Sequence, residues 1–401
     1  MTVPDIADPQ FWQAGPDREL AELRRACPVT RRPEAGFWVV TGHAEIAAIS
    51  KDPATYSSAK GVLIGDLKRR VAGTESILYV DPPRHVAMRR IVNRGFTVRR
   101  VAQLAPIIER IVADVLDAID PAMPIDAVDA IGAPVPILVI AHMLGVPAED
   151  LPTFRTWSDA IAIAATDPTD PRAMAAIDFF TYFNARLDTR TGEADPPDDL
   201  LTAITADAEL TRAEQLGFCM SLLVAGNETT RHLISGGLVA LAEHPGQRAM
   251  LAEDEALIPT AVEEMLRWIT PIVAMARTTT CPVTVGGAEV GADAYLVMLY
   301  AAANRDEAVF GSDADEFDVT RSPNPHLAFG IGEHFCLGAQ LARLEARIVF
   351  AEVLRRWPQY RVLDGVQMGA STLLRETVKL PILLQPDDRR PQASHLAGAG
   401  K

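Results

Sequence analysis

The chain has 401 residues, of which 48% are hydrophobic and 23% charged, and its formal net charge is −15 at pH 7. This length exceeds the size at which one hydrophobic core usually stops growing, so two lobes are expected. The acidic balance argues against nucleic acid as the partner, and a start without an apolar run argues against a signal peptide, so a cytoplasmic location is expected.

The cysteine pattern and the hydropathy exclude two further classes. The four cysteines lie far apart without a C-x-x-C pair, which argues against a disulfide framework or a zinc ribbon: Cys27, Cys219, Cys281 and Cys336. The most apolar stretch, residues 131–146, is interrupted by Pro134 and Pro136 and is too short to span a bilayer. No membrane anchor is expected.

The first third of the chain is predicted to form short elements separated by proline residues. The patterns predict a helix over 17–26, a strand over 37–41, a helix over 43–50 capped near Thr41, and a helix from His85. Residues 51–80 show no firm period. His85 and Arg89 are four residues apart and therefore share one helix face.

A local basic cluster stands out in this acidic chain. Between residues 84 and 108 there is no acid, but there are six arginines: Arg84, Arg89, Arg90, Arg94, Arg99 and Arg100. Such a run is usually a solvated face. On an acidic protein it is also a candidate docking site for an acidic partner.

The next segments are predominantly helical. Residues 101–147 predict two helices around Pro121 and Pro124, and the aromatic-rich residues 151–190 predict helical segments split at Asp167-Pro168. Ordinary core packing and a lid over a pocket both fit these aromatic residues. An acidic loop follows over 192–199.

A long helix is predicted in the middle of the chain. Thr211 and Glu214 form a capping-box signature, and the helical pattern runs to His244, a span of about 50 Å at ~1.5 Å per residue. Within it Gly226 costs about 1 kcal/mol relative to alanine. Either a flat cofactor approaches the helix there, or another helix packs against it. Glu228 and Thr229 place an acid and an alcohol beside this glycine.

The remaining elements include a small β region. A further helix carries Glu264 and Arg267 at a spacing that allows direct pairing. The extended segments are predicted over 272–277, 283–285, 288–290, 295–300, around 373–374 and over 380–384. The end of the chain, from Asp387, reads as a flexible tail.

A glycine-rich loop around Cys336 precedes the last long helix. The helix start favours a thiolate through its unpaired N–H groups and dipole. A dinucleotide-binding loop would need glycine where Phe335 stands. A zinc site using His326, His334 and Cys336 lacks a second pair of ligands, and a lone structural cysteine is the remaining alternative.

The motif Phe-Gly-x-Gly-x-His-x-Cys-x-Gly over residues 329–338, followed by Leu-Ala-Arg, resembles the haem-ligand loop of the cytochrome P450 family in its soluble bacterial form. The resemblance implies a mainly α fold with a small β region and a long central helix over the haem. It implies one P450 domain over residues 1–401, with a helix-rich and a β-rich lobe and a flexible tail over 387–401. Cys336 would be the thiolate ligand of iron in haem b.

The same resemblance assigns roles to other residues. Glu228 and Thr229 would deliver protons. The cofactor-binding residues would be His85, Arg89, Arg277, His334, Ala225, Gly226, Phe329, Gly330, Leu337 and Gly338. The substrate pocket would include Ala225, Thr229, Ile272 and Val273. A structural ion-pair network would join Glu264, Arg267 and Arg321.

The resemblance implies a monooxygenase that inserts one atom of O2 into an apolar small molecule of terpenoid, steroid, fatty acyl or polyketide type. The sequence carries no flavin or nicotinamide fingerprint, so electrons from NAD(P)H are expected through a ferredoxin reductase and a ferredoxin. The arginines of residues 84–100, together with Arg343 and Arg347, are predicted to form the docking face for the ferredoxin. A monomer is expected. The alternatives are a peroxide-driven enzyme of the same fold, which would usually lack the acid–alcohol pair, and a non-catalytic haem-binding sensor.

Overall fold

The computed structural model describes residues 4–69, 76–166 and 171–384. The expected tail over 387–401 and the expected break at Asp167-Pro168 lie outside these residues. The α-helices are α1 Pro9–Gln13, α2 Asp17–Ala26, α3 His43–Lys51, α4 Asp66–Arg69, α5 Arg84–Asn93, α6 Val98–Gln103, α7 Ala105–Asp117, α8 Pro134–Met143, α9 Leu151–Thr166, α10 Ala175–Thr191, α11 Leu200–Thr205, α12 Arg212–Glu243, α13 Pro245–Glu253, α14 Ile258–Ile269, α15 Tyr300–Ala303, α16 Glu307–Phe310 and α17 Ala339–Arg356.

The strands form one larger sheet and three small ones. They are β1 Val29–Arg32, β2 Phe37–Val40, β3 Tyr56–Ser57, β4 Ile125–Asp126, β5 Ala274–Thr279, β6 Val283–Val285, β7 Ala288–Val290, β8 Tyr295–Leu299, β9 Arg361–Val362, β10 Gln367–Met368, β11 Thr377–Lys379 and β12 Pro381–Leu383. The larger sheet has the order β1-β2-β8-β5-β3, and β2 and β8 run parallel in it. The small sheets are β4-β12-β9, β10-β11 and the hairpin β6-β7.

The central helix α12 begins with a complete capping box. The Thr211 side chain accepts from the backbone N–H of Glu214, and the Glu214 carboxylate accepts from the N–H of Thr211. Two of the N–H groups left unpaired at the helix start are thereby satisfied. The helix continues for 32 residues and packs against α8, α14 and α17. The predicted long central helix is confirmed.

The hydrophobic core lies mainly among the helices, and two smaller clusters cover the faces of the larger sheet. Along β8, Tyr295, Val297 and Leu299 belong to one small cluster, whereas Leu296 and Met298 belong to the other. This alternation follows from the two-residue side-chain period of a strand. Helices and sheet together confirm the predicted mainly α fold with a small β region.

Several boundaries differ from the predictions. The N-cap of α3 is Gly42 and makes no side-chain cap, so a cap at Thr41 is wrong. Residues 101–147 contain α7 and α8 with a π-helical turn, Val128–Gly132, between them, instead of two simple helices. Within the described residues, no helix is both long and apolar enough to cross a membrane.

Candidate functional site

The loop before α17 holds Cys336 in a fixed backbone frame. Gly330 and Gly332 have φ values of +65° and +80°, in the left-handed region that favours glycine. A Cβ atom at Gly332 would collide with the backbone carbonyl of Ser50. The N–H of Cys336 donates to the carbonyl of Phe329 at 2.8 Å, which closes the loop. Leu337 and Gly338 are half-buried and lead into α17.

The surroundings of the Cys336 sulfur act on its pKa in opposite directions. Burial raises the pKa of Cys336, while a hydrogen bond from the Gly338 N–H and the charges of Arg89 and Arg343 lower it, and the net direction is upward. The Gly338 N–H near the helix start therefore favours the thiolate, and desolvation opposes it. A metal ion at the sulfur would add a positive charge that favours the thiolate.

Four cationic or neutral nitrogen groups converge beside this loop. The rings of His85 and His334 have their centroids 4.1 Å apart, and His334 Nε2 lies 3.2 Å from the Ser58 hydroxyl. Arg277 is buried and donates to the Ala276 carbonyl at 2.7 Å. The guanidinium of Arg89 donates to the loop carbonyls of residues 333 and 335. The structure thus brings together the four residues predicted to hold haem propionates.

The electrostatics of this cluster favour an anionic ligand. Burial, followed by Arg277, His85 and Arg89, lowers the pKa of His334 to about 3. Burial also lowers the pKa of His85 and Arg277. Within the described part of the chain, neither arginine forms an ion pair with a carboxylate, and neither ring nitrogen of His85 has a hydrogen-bond partner. Buried donors without a partner are costly, so a ligand with paired carboxylates fits the cluster. The residues present therefore fit a haem.

On α12, Ala225, Gly226 and Thr229 differ in their contacts. Ala225 is exposed, and its carbonyl accepts a hydrogen bond of 2.7 Å from the Thr229 hydroxyl. A Cβ atom at Gly226 would overlap Ile140 of α8. Close packing of two helices therefore explains this glycine without a cofactor, and the assignment of Gly226 to cofactor binding has no support in this geometry.

The Glu228 carboxylate lies in a polar group on the same helix. Its Oε1 accepts from Asn227 Nδ2 at 3.1 Å and lies 3.5 Å from Arg231 Nη2. Its Oε2 lies 3.7 Å from His232 Nε2. Asn227 also donates to the Ser158 hydroxyl of α9 at 2.8 Å. The sequence reading did not single out Arg231 or His232; their i+3 and i+4 spacing from Glu228 was the available signal.

The two proposed pocket residues before β5 differ in their surroundings. Ile272 is half-buried and forms an isolated β-bridge with Leu374. Val273 is fully buried in one of the small clusters beside the sheet. The Val273 side chain therefore faces this core and does not line an accessible surface.

The predicted structural network is buried and compact. Two nitrogens of Arg267 donate to the Glu264 carboxylate at 2.7 Å each, and neither side chain is exposed. Arg321 Nε lies 3.4 Å from the same carboxylate, which also accepts from the Asp318 N–H at 2.9 Å. Arg267 further donates to three backbone carbonyls in the segment that leads toward the cysteine loop. The network therefore ties α14 to this segment.

A second group supports the cysteine loop, and its contacts were not predicted from the sequence. Arg343 of α17 forms two hydrogen bonds to Glu263, at 2.7 and 2.8 Å, and its guanidinium lies 4.5 Å from the centre of the Phe329 ring. His326 Nε2 lies 3.1 Å from Glu263 Oε2, so His326 contacts this carboxylate. The three side chains and the Phe329 ring connect α14, α17 and the start of the loop.

The chain is similar to known proteins over most of its length. The family model described as Cytochrome P450 matches residues 169–359. The Vitamin D(3) 25-hydroxylase of Pseudonocardia autotrophica is 35% identical over 95% of this chain and 96% of its own. The Steroid C26-monooxygenase of Mycolicibacterium smegmatis is 33% identical, with the same two coverages. The structure of CYP109E1 from Bacillus megaterium in complex with testosterone superimposes with a TM-score of 0.83 at 33% identity, over 92% of this chain and 99% of that one.

Proposed function

The chain belongs to the cytochrome P450 family and is a monooxygenase, and we propose that it oxidises a steroid-sized apolar compound with electrons from a ferredoxin. The similarity to two enzymes named for steroid or vitamin D oxidation, over about the whole chain, carries this proposal. The testosterone complex of a structural relative supports the same substrate class.

The cofactor is proposed to be haem b, held by Cys336 through its sulfur and by His85, Arg89, Arg277 and His334 through its carboxylates. When bound, this group supplies the activation of O2. The chain contributes a fixed loop for the sulfur, a cationic cluster for the carboxylates and an alcohol on α12. The Thr229 hydroxyl can accept a hydrogen bond from a proton donor while it donates its own proton to the Ala225 carbonyl.

Glu228 is proposed to pass protons inward to Thr229. Its side chain is 12% exposed, so it reaches both solvent and the helix interior. A positioned acid of this kind is typically worth about 10²–10⁴-fold in rate. The presence of both Glu228 and Thr229 favours O2 and external electrons over peroxide as the oxidant.

The electron donor is proposed to dock on the basic cluster of residues 84–100, with Arg347 of α17 beside it. Arg343, which was predicted to share this face, is instead held by Glu263. Three of its arginines, Arg90, Arg94 and Arg99, are exposed and form no ion pair within the described residues. Arg84 and Arg100 are bound by Glu214 and Asp198, and Arg89 points into the cysteine loop. The free arginines are therefore the part of the cluster that suits an acidic ferredoxin.

A binding screen tests the substrate class. The haem-loaded protein is titrated with testosterone, vitamin D3, laurate and a monoterpene, and the optical shift of the haem reports displacement of iron-bound water. The proposal expects the tightest binding and a hydroxylated product with the steroid or secosteroid. Tightest binding and sole turnover of laurate or the monoterpene would replace the steroid class, and an absence of any product with surrogate ferredoxin and reductase would reject the electron donor.

A further inference from the structure

His232 is a buried histidine on α12, one turn after Glu228, and no role in the reaction has been given to it so far. Its side chain is 4% exposed, and neither ring nitrogen has a hydrogen-bond partner among the residues that the structure describes. Leaving a buried polar group unpaired costs about 1–3 kcal/mol. An apolar side chain at this position would avoid that cost, so the imidazole calls for an explanation.

The carboxyl group of Glu228 lies beside the His232 ring. Oε2 of this carboxyl group lies 3.7 Å from His232 Nε2, just beyond hydrogen-bonding distance. A small rotation of the carboxyl group closes the gap. The other oxygen, Oε1, faces Asn227 Nδ2 and Arg231 Nη2. The two oxygens of Glu228 therefore have chemically different neighbours.

These neighbours differ in whether they can accept the proton of Glu228. The amide NH2 of Asn227 and the guanidinium of Arg231 only donate hydrogen bonds, so they can bind Oε1 in either state but cannot accept the proton of the acid. Burial and the charge of Arg231 lower the pKa of His232 to about 3, so its ring is neutral at pH 7. A neutral imidazole can donate to a carboxylate or accept from a carboxylic acid, depending on its tautomer. Of the amide NH2, the guanidinium and the imidazole, only the imidazole can accept a hydrogen bond from the O–H of protonated Glu228.

The negative charge of Glu228 also affects the pKa of a second carboxyl group, that of Glu376. Burial and then the negative charge of Glu228 raise the pKa of Glu376, which precedes β11. The segment containing β11 packs against α12. The charged and titratable groups that face Glu228 include Arg231 and His232 on α12 and Glu376 on the neighbouring segment. Repulsion between two neighbouring carboxylates favours a state in which one of them holds a proton.

We propose that His232 is a positioning residue whose Nε2 accepts a hydrogen bond from the Oε2 hydroxyl of protonated Glu228 and thereby fixes the orientation of this acid beside Thr229. The proton that leaves Glu228 is replaced from solvent, and no proton passes through His232, because its Nδ1 contacts no partner in the described structure. This inference rests on the proposed role of Glu228 and names the side chain that orients it.

A double-mutant cycle tests the proposal. The haem-loaded parent, Glu228→Gln, His232→Leu and the double variant are supplied with NADH through a surrogate ferredoxin and reductase without added substrate. The peroxide released per NADH consumed is measured for each. Ser235→Ala is the matched control, since Ser235 is another buried group on α12 without a hydrogen-bond partner in the described structure. Haem content and thermal unfolding are recorded for every protein.

The proposal expects that His232→Leu raises the peroxide yield, as Glu228→Gln does. The double variant should give the same peroxide yield as Glu228→Gln alone, because a residue that acts through Glu228 has no effect once that acid is gone. His232→Asn, which keeps a donor and an acceptor, should recover part of the effect. The infrared C=O band that disappears in Glu228→Gln should move to higher frequency in His232→Leu, because the acid loses its hydrogen-bond acceptor.

Two results would reject the role of His232 without rejecting the proposed function of the protein. An effect of His232→Leu that adds fully to that of Glu228→Gln, or is matched by Ser235→Ala, would assign His232 to packing alone. An unchanged peroxide yield and an unmoved band in His232→Leu, beside a changed yield in Glu228→Gln, would reject the positioning role and keep the acid. An unchanged yield in Glu228→Gln would reject the proton role of Glu228 itself, and the role of His232 with it.

Discussion

The Thr229 hydroxyl donates a hydrogen bond of 2.7 Å to the carbonyl of Ala225, four residues earlier on α12. This back-bonding is common for threonine in helices. It engages the hydroxyl proton and leaves the oxygen lone pairs to accept a hydrogen bond. In this geometry Thr229 can therefore act as an acceptor that orders a proton donor, and it releases its own proton only by breaking the helix bond.

Thr229→Ala is expected to separate these roles. Loss of a positioned proton-transfer group lowers the productive rate by about 10²–10⁴-fold, while reduction by the ferredoxin should continue. The ratio of product formed to NADH consumed should fall and peroxide should rise, whereas Thr229→Ser should retain most coupling. Thr189 bonds back to the carbonyl of Ala185 in the same way on α10, so Thr189→Ala controls for loss of the helix bond. An unchanged ratio in Thr229→Ala would leave the hydroxyl with a helix role only.

Cys336→Ala is expected to abolish the thiolate optical signature of the carbon monoxide complex. The fixed loop, the Gly338 N–H and the nearby arginines surround this sulfur, and none of them can replace a metal-binding thiolate. Cys27→Ala, at an exposed cysteine, should leave the spectrum unchanged. A retained signature in folded Cys336→Ala protein would show that another residue binds the iron.

The sequence was informative where local chemistry decides the structure. The capping box at Thr211 and the glycine pair between β6 and β7 set element boundaries through their own backbone and side chains. It was not informative where the deciding contact is distant in sequence. Gly226 is explained by Ile140, and the electrostatic effect of Glu228 on Glu376 spans 148 positions. No local pattern encodes such pairs.

The Arg89→Ala, Arg277→Ala double variant is expected to lose haem faster than it loses folding stability. A hydrogen bond to a charged group is worth about 1.5–3 kcal/mol, or roughly ten- to hundredfold in affinity for each arginine removed. Haem transfer to apomyoglobin measures the rate of loss. Arg155→Ala is the control, since this arginine pairs with Asp129 at the surface. Full haem retention in the double variant would remove both residues from the propionate site.

Glu264→Gln is expected to destabilise the fold through its effect on Arg267. The change leaves a fully buried guanidinium without its counter-charge, which typically costs about 3–5 kcal/mol. Glu22→Gln breaks the exposed pair between Arg18 and Glu22 and should cost at most about 1 kcal/mol. Denaturant unfolding of the haem-loaded proteins measures both changes. Equal effects of the two substitutions would show that the buried pair adds no specific stability.

Reversing the charge of Arg90, Arg94 and Arg99 to glutamate is expected to slow electron transfer from a ferredoxin by about 10- to 10³-fold at low ionic strength, because electrostatic steering raises association rates by that range. The difference from the parent should shrink as salt is added, since the Debye length falls to about 8 Å at 0.15 M ionic strength. Arg18→Glu, at a position 87% exposed on α2, changes the net charge by the same amount per residue outside the cluster. Stopped-flow reduction at several salt concentrations measures the rates. Electron-transfer rates that change neither with salt nor with the three substitutions would place the ferredoxin on another surface of the molecule. An equal loss of rate in Arg18→Glu would attribute the effect to net charge alone.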